Sequence, residues 1–103
     1  PAIHGDEWGT IVETTGTATG TIKPVVSGST IYITDLIVSS NSGGTVIIGD
    51  GTPTVKLVEA YLGANGGFVS NFKTPRHTTS GSALVFNQPG TGTITLTCTG
   101  YVS

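Results

Sequence analysis

The 103 residues predict a single all-β domain, an antiparallel β-sandwich of about eight strands. Three observations lead there. Short runs of β-branched and aromatic residues recur along the chain, each cut by Gly, Pro, Asn or Ser, which is how many short strands look in a sequence. Helical periodicity is nearly absent. The segments between runs are too short for the dozen or more residues a parallel crossover needs, so neighbouring strands must run antiparallel.

Taken in order, the expected strands span 8–15, 17–25, 30–40, 45–49, 54–62, 67–73, 82–88 and 92–102. The tripeptide Gly-Thr-Ile or Gly-Thr-Val opens segments at Gly9, Gly20, Gly44 and Gly92, where a flexible residue followed by β-branched ones starts a strand. Irregular spacing between these copies excludes a solenoid or propeller. The run Ile31-Tyr32-Ile33-Thr34-Asp35-Leu36-Ile37-Val38 is apolar on both of its alternating faces, as expected of a central strand covered on both sides. Asp50-Gly51 and Asn65-Gly66 supply residues suited to positive φ and therefore to tight reversals, while Pro53, Pro75 and Pro89 are expected to stop strands. Segment 54–62 is the one place where a helix competes, because Val55, Val58 and Leu62 would share a helical face. Its shortness, the preceding Pro53 and the turn Gly63-Ala64-Asn65-Gly66-Gly67 favour a strand. In the last run Ile94, Leu96 and Cys98 alternate with Thr93, Thr95, Thr97 and Thr99, so Cys98 is expected inside. Residues 1–7 show no pattern that would hold them to a core and read as an N-terminal arm, with the sandwich occupying 8–103.

Charged residues make up 10% of the chain, its net charge is −2 and its hydrophobic content is 36%. Disordered chains combine low hydrophobicity with high net charge, so this one is expected to fold. A surface poor in Lys and Glu lacks the usual protection against edge-to-edge pairing, and a stable homo-oligomer resolves that problem. Four Lys and Arg without a basic run do not make a footprint for a phosphate backbone, so nucleic acid is not an expected partner. No run approaches the roughly 18 to 20 apolar residues of a membrane-crossing helix, and the start has no signal-peptide pattern. Cys98 is the only cysteine, which rules out an intrachain disulfide.

No catalytic site, metal site or cofactor emerges. His4, Asp6 and Glu7 form the densest group of acid/base or metal-ligating types, but an untethered arm cannot hold reactive geometry. Cys98 reads as a buried small side chain and not as a nucleophile. Asp50 has no acidic neighbours to build a calcium cage and reads as a turn residue. Neither a Gly-Lys-Ser/Thr phosphate loop nor a Gly-x-Ser-x-Gly elbow occurs among the 16 glycines. Phe72-Lys73-Thr74-Pro75-Arg76-His77 concentrates half of the basic residues in an expected loop, where Arg76 is suited to clamping a carboxylate. Trp8 reads as a core or interface anchor. Partner contacts are therefore expected from the arm Pro1, Ala2, Ile3, His4, Gly5, Asp6 and Glu7 with Trp8, and from Lys73, Arg76, His77 and Tyr101.

Several stretches resemble small jelly-roll domains of tailed-phage virion proteins. They are Ile31 through Asn41, Gly44-Thr45-Val46 to Asp50-Gly51, Asn65-Gly66-Gly67-Phe68 to Phe72-Lys73-Thr74-Pro75, Ser82-Ala83-Leu84, and Thr95-Leu96-Thr97 to Gly100-Tyr101. The resemblance implies a jelly-roll sandwich and a capsid decoration (cement) protein: a homotrimer made in the host cytoplasm and located on the capsid surface of a bacteriophage virion. Its partners would be copies of itself and the major capsid protein, with the arm and Trp8 against the shell. Fibre-tip domains are similar, so a receptor- or carbohydrate-binding tip using Trp8, Tyr101 or Arg76 is the alternative.

Overall fold

The computed structural model describes residues 6–16, 18–25, 27–88, 90 and 92–103, except for the side chain of Asp6. Eight strands are present: β1 (Asp6–Thr15), β2 (Ala18–Lys23), β3 (Ile31–Ser40), β4 (Gly44–Asp50), β5 (Thr52–Leu62), β6 (Gly67–His77), β7 (Leu84–Gln88) and β8 (Thr93–Val102). They form two four-stranded antiparallel sheets in the orders β1-β8-β3-β6 and β2-β7-β4-β5. The first strand pairs with the last, the second with the seventh, the third with the sixth and the fourth with the fifth. A long hairpin rolled onto itself has this nesting, and it makes the sandwich a jelly roll. Only the β4–β5 hairpin stays within one sheet; the other connections cross between layers.

All eight expected strands are found, and segment 54–62 lies in β5. The turn residues behave as their chemistry requires: Gly51 has φ 73° and Asn65 φ 57°. Two expectations about strand ends are corrected. β1 starts at Asp6, where Asp6 opposes Val102 and Glu7 opposes Tyr101, so the last two residues expected in the arm belong to the sheet. Pro1 to Gly5 lie outside the described residues. Pro53 and Pro75 lie within β5 and β6 instead of ending them. Both are edge strands, where a residue without an N–H breaks no interior ladder. Around Pro75 the ladder is irregular, since Ile33 opposes Arg76 and Asp35 opposes Asn71, leaving 72–75 to bow out between them.

β3 also corrects the expectation of two apolar faces. Its register with β8 shifts at Thr34, so that Ile33 opposes Gly100 and Asp35 opposes Thr99. The bulge inserts one residue and reverses the alternation beyond it. Ile31 and Ile33 before the bulge and Leu36 and Val38 after it therefore all face inward, and Ile37 is the apolar residue left outside. Gly100 lies across from this bulge, and a Cβ there would collide with the carbonyl oxygen of Tyr32. Only glycine lets the two strands approach so closely.

The core lies between the sheets and combines Ile31, Ile33, Leu36, Val38, Ile94, Leu96 and Cys98 with Ile22, Val46, Ile48, Leu84 and Phe86 from the other layer. Burial of such side chains, at roughly 1.5–3 kcal/mol each, is the main stabilising term in the fold. Trp8 and Val12 pack against its edge from β1. Thr78 seals one end: its amide donates to the Ile31 carbonyl at 3.0 Å, and its Oγ1 accepts from the Ile31 amide at 3.1 Å. Asp50 holds the same connection, its Oδ2 accepting from the Thr79 amide at 2.9 Å and the Thr79 hydroxyl at 2.7 Å.

Candidate functional site

The outer face of the β1-β8-β3-β6 sheet is organised in rows set by strand register. At one end Glu7, Tyr101, Tyr32 and His77 stand side by side. The rings of Tyr32 and Tyr101 stack with centroids 4.6 Å apart, and the His77 ring lies 5.2 Å from that of Tyr32. His77 Nδ1 sits 2.9 Å from the Thr78 carbonyl oxygen, which assigns the proton to that nitrogen.

The next row, Gly9–Thr99–Asp35–Asn71, centres on the Asp35 carboxylate. It accepts hydrogen bonds from Asn71 Nδ2, from Thr34 Oγ1 at 3.2 Å and from Thr99 Oγ1 at 3.2 Å. The Asn71 bond above all, with those from Thr34 and Thr99, holds its pKa below the ordinary carboxylate value against the opposing effect of desolvation. The bulge at Thr34 creates this arrangement, because it places Tyr32 and Asp35, three positions apart, on the same outer face.

A third row is apolar. Ile11, Thr97, Ile37 and Val69 align across all four strands, and Ile11, Ile37 and Val69 are 72%, 46% and 67% exposed. Beyond it the Glu13–Thr95–Ser39–Gly67 row leads into a shallow polar depression of about 430 Å³ lined by Ser39, Asn41, Asn65, Thr93 and Thr95. Asn41 Oδ1 accepts from the Thr93 amide at 2.8 Å, which ties this rim to β8.

Of the residues expected to touch a partner, the structure gathers His77 and Tyr101 at one corner of this face, while Arg76, which opposes the inward-facing Ile33, turns from the neighbouring position of β6 toward the other sheet. Arg76 and His77 line a groove of about 300 Å³ with Leu57, Thr74 and Pro75. Arg76 Nε donates to the Leu57 carbonyl at 3.0 Å and so links the edge strands of the two sheets. Lys73 is exposed in the bowed segment of β6, which is strand and not the expected loop. Trp8 is not part of the corner: it lies on the opposite side of β1, packed on the core. The apolar row, Tyr32 and the Asp35 cluster were not singled out by sequence reasoning. Simple alternation assigns Tyr32 and Asp35 to opposite faces, and only the bulge unites them.

Cys98 is fully buried, and burial pushes its thiol up to about 12, with the nearby Asp35 charge adding to the effect. A thiol in that state is neither a nucleophile nor a metal ligand near neutral pH. Among the described residues no three His, Cys, Asp or Glu side chains cluster to hold a metal ion, and no helix is long and apolar enough to cross a membrane.

No protein-family model matches the sequence, and no curated protein matches it. The fold has clear relatives among solved structures. A chain in the acidic stable capsid structure of Helicobacter pylori bacteriophage KHP30 superposes with a TM-score of 0.62 at 13% identity, over 96% of this chain and 90% of that one. The nucleoplasmin-like N-terminal domain of Drosophila FKBP39 gives 0.54 at 11% identity, over 96% of this chain and 91% of that one. At such identities the likeness establishes the shared sandwich fold.

Proposed function

We propose that this chain is a structural virion protein of a bacteriophage, a decoration protein that assembles as an oligomer on the outer surface of the capsid and stabilises the assembled shell. The observation that carries the reading is the match, over nearly the whole length of both molecules, to a chain of a phage capsid. The sheet face described above supports it: three exposed aliphatic side chains in one row, between rows that carry Thr99, Asp35 and Asn71 on one side and Glu13, Thr95 and Ser39 on the other, suit a protein surface better than bulk water. The reading assigns no reaction to the chain. Its conspicuous polar groups serve the fold, Asp50 by holding the loop at Thr79 and Arg76 by bridging to Leu57. Binding at many repeated positions on a lattice stabilises it by mass action, so each contact can be weak. The major capsid protein is the partner, and the segment 1–5 ahead of β1, together with the sheet face, is assigned to the contact.

Shells of the phage whose genome encodes this chain provide the test. Purified protein added to undecorated shells should co-sediment at saturating stoichiometry and raise the temperature at which they disrupt. Removal of residues 1–5 should leave the circular dichroism unchanged and lower occupancy at least tenfold. Absence of binding by the intact protein would refute the proposal.

A second reading, a receptor- or carbohydrate-binding tip domain, draws on one observation: the stacked Tyr32 and Tyr101 rings beside His77 and the Arg76 groove combine an aromatic platform with a cation. Binding of the isolated protein to a glycan array, lost in Tyr32→Ala and accompanied by no affinity for shells, would favour it.

A further inference from the structure

We infer that copies of this chain join head to tail, the β1 edge of one against the β6 edge of the next, with Ile11 opposite Val69 of the neighbouring copy. The inference rests on the proposed self-association and specifies the surface that performs it. β1 and β6 are the two open edges of their sheet. Each presents unpaired backbone groups that favour pairing unless something covers them. The edges differ in charge: β1 contains Asp6, Glu7 and Glu13 and no basic residue, whereas β6 contains Lys73 and Arg76 and no acidic one. Contact of β1 with β1, or of β6 with β6, would collect like charges along one seam with nothing to neutralise them, which disfavours a two-fold dimer through either edge. Contact of β1 with β6 is complementary.

Register strengthens this reading. β1 runs antiparallel to β8, β8 to β3 and β3 to β6, so β6 of a neighbour set beside β1 continues the antiparallel order. Ile11 and Val69 occupy opposite ends of a single row and are both largely exposed. Continuing the sheet without a shift brings Val69 of the neighbour against Ile11 and prolongs the apolar row through Thr97 and Ile37. In the same register Glu7 meets the His77 end of β6, beside Arg76 and Lys73. The regular part of β6, Gly67 to Asn71, faces Gly9 to Glu13, while the bowed segment 72–75 brings Lys73 towards the acidic end of the seam. Because the two contacting surfaces differ, the contact repeats head to tail, as a closed ring or an open filament according to the rotation between copies, and not as a two-fold dimer.

The test joins a register measurement to a charge measurement on the full chain. Within one copy Ile11 and Val69 are three strand spacings apart, about 14 Å, too far for a disulfide. Ile11→Cys with Val69→Cys should therefore cross-link between copies on oxidation and give a ladder of covalent multimers, while either single cysteine stays uncross-linked and Cys98 remains buried. Dimers from Ile11→Cys alone would show a two-fold contact and overturn the inference. Glu7→Lys and Lys73→Glu should each weaken association by about fivefold, and the double variant should regain it. Circular dichroism and thermal midpoint establish that each variant is folded, and should one charge variant not fold, the cysteine pair decides the question. A native protein that stays monomeric at micromolar concentration refutes self-association altogether. An oligomer that neither cross-links in the double-cysteine variant nor responds to the charge changes refutes only the β1–β6 seam.

Discussion

The two sheets present outer faces that differ in how completely the chain itself covers them. In the β2-β7-β4-β5 layer the outward aliphatic residues Ile47 and Val85 of the central strands are only 8% and 9% exposed, the edge strand β5 leaves Val55 and Tyr61 open at 53% and 79%, and the layer carries the Lys56–Glu59 ion pair at 3.0 Å, the only one among the described residues. In the β1-β8-β3-β6 layer Ile11, Ile37 and Val69 stand open in one row, and among the described residues no ion pair offsets the acidic β1 edge or the basic β6 edge. The open apolar side chains of the first layer sit on its edge strand, whereas those of the second run in one row across all four strands. An apolar row that continues across a whole sheet, and not the mere presence of exposed apolar side chains, is what singles out the second face.

The largest expected effect contrasts the inner and outer sides of that sheet. Leu96→Ala, which empties a fully buried position, should cost about 3 kcal/mol of unfolding free energy, whereas Ile37→Thr on the outside should change folding by less than about 0.5 kcal/mol and act on assembly instead. Chemical denaturation of both variants, paired with light scattering, measures the difference. Equal losses of folding stability would remove the distinction.

Gly100→Ala should follow, at about 2 kcal/mol, because the added Cβ must displace the Tyr32 backbone at the bulge. The same substitution at Gly16, where φ is +79° but no atom lies within 4 Å of the new Cβ, should cost less. The denaturation midpoints of the two variants compare crowding with backbone strain.

Two ionisable groups sharpen the contrast further. Cys98 keeps its proton in the fold up to about 12, while the unfolded chain releases it near the ordinary thiol value, so stability should fall by roughly 1.4 kcal/mol per pH unit between those limits. Cys98→Ala should flatten that alkaline slope, and a thiol reagent should modify the native protein only as fast as it unfolds. Asp35, on the outside, works in the opposite direction and more weakly. Its folded pKa lies below the unfolded one, so its contribution is present above the unfolded carboxylate value and fades as pH falls through the folded one. Thermal midpoints from pH 5 down to pH 2 should drop less steeply for Asp35→Asn than for the native chain.

Patterns with a period of two were readable directly. The alternation in β8 placed Cys98 inside, and the glycines and asparagines between runs marked each reversal, because both signals depend on a few neighbouring residues. Strand ends were less legible. Asp6 and Glu7 have no strand-forming character, and only pairing with Tyr101 and Val102 draws them into β1. Pro53 and Pro75 look like stop signals until their strands prove to lie at the sheet edges.

Amino-acid order alone determined an all-β chain of eight strands with a lightly charged exterior, since residue type and local periodicity are local properties. Tertiary structure decided which strands lie side by side, and with that every row on the outer face. Tyr32, Tyr101 and His77 come from distant parts of the chain, as do Ile11, Ile37 and Val69, and the single residue inserted at Thr34 reverses which side chains face outward. Register between strands far apart in the chain is a property of the packed molecule, and the candidate binding face is built entirely from it.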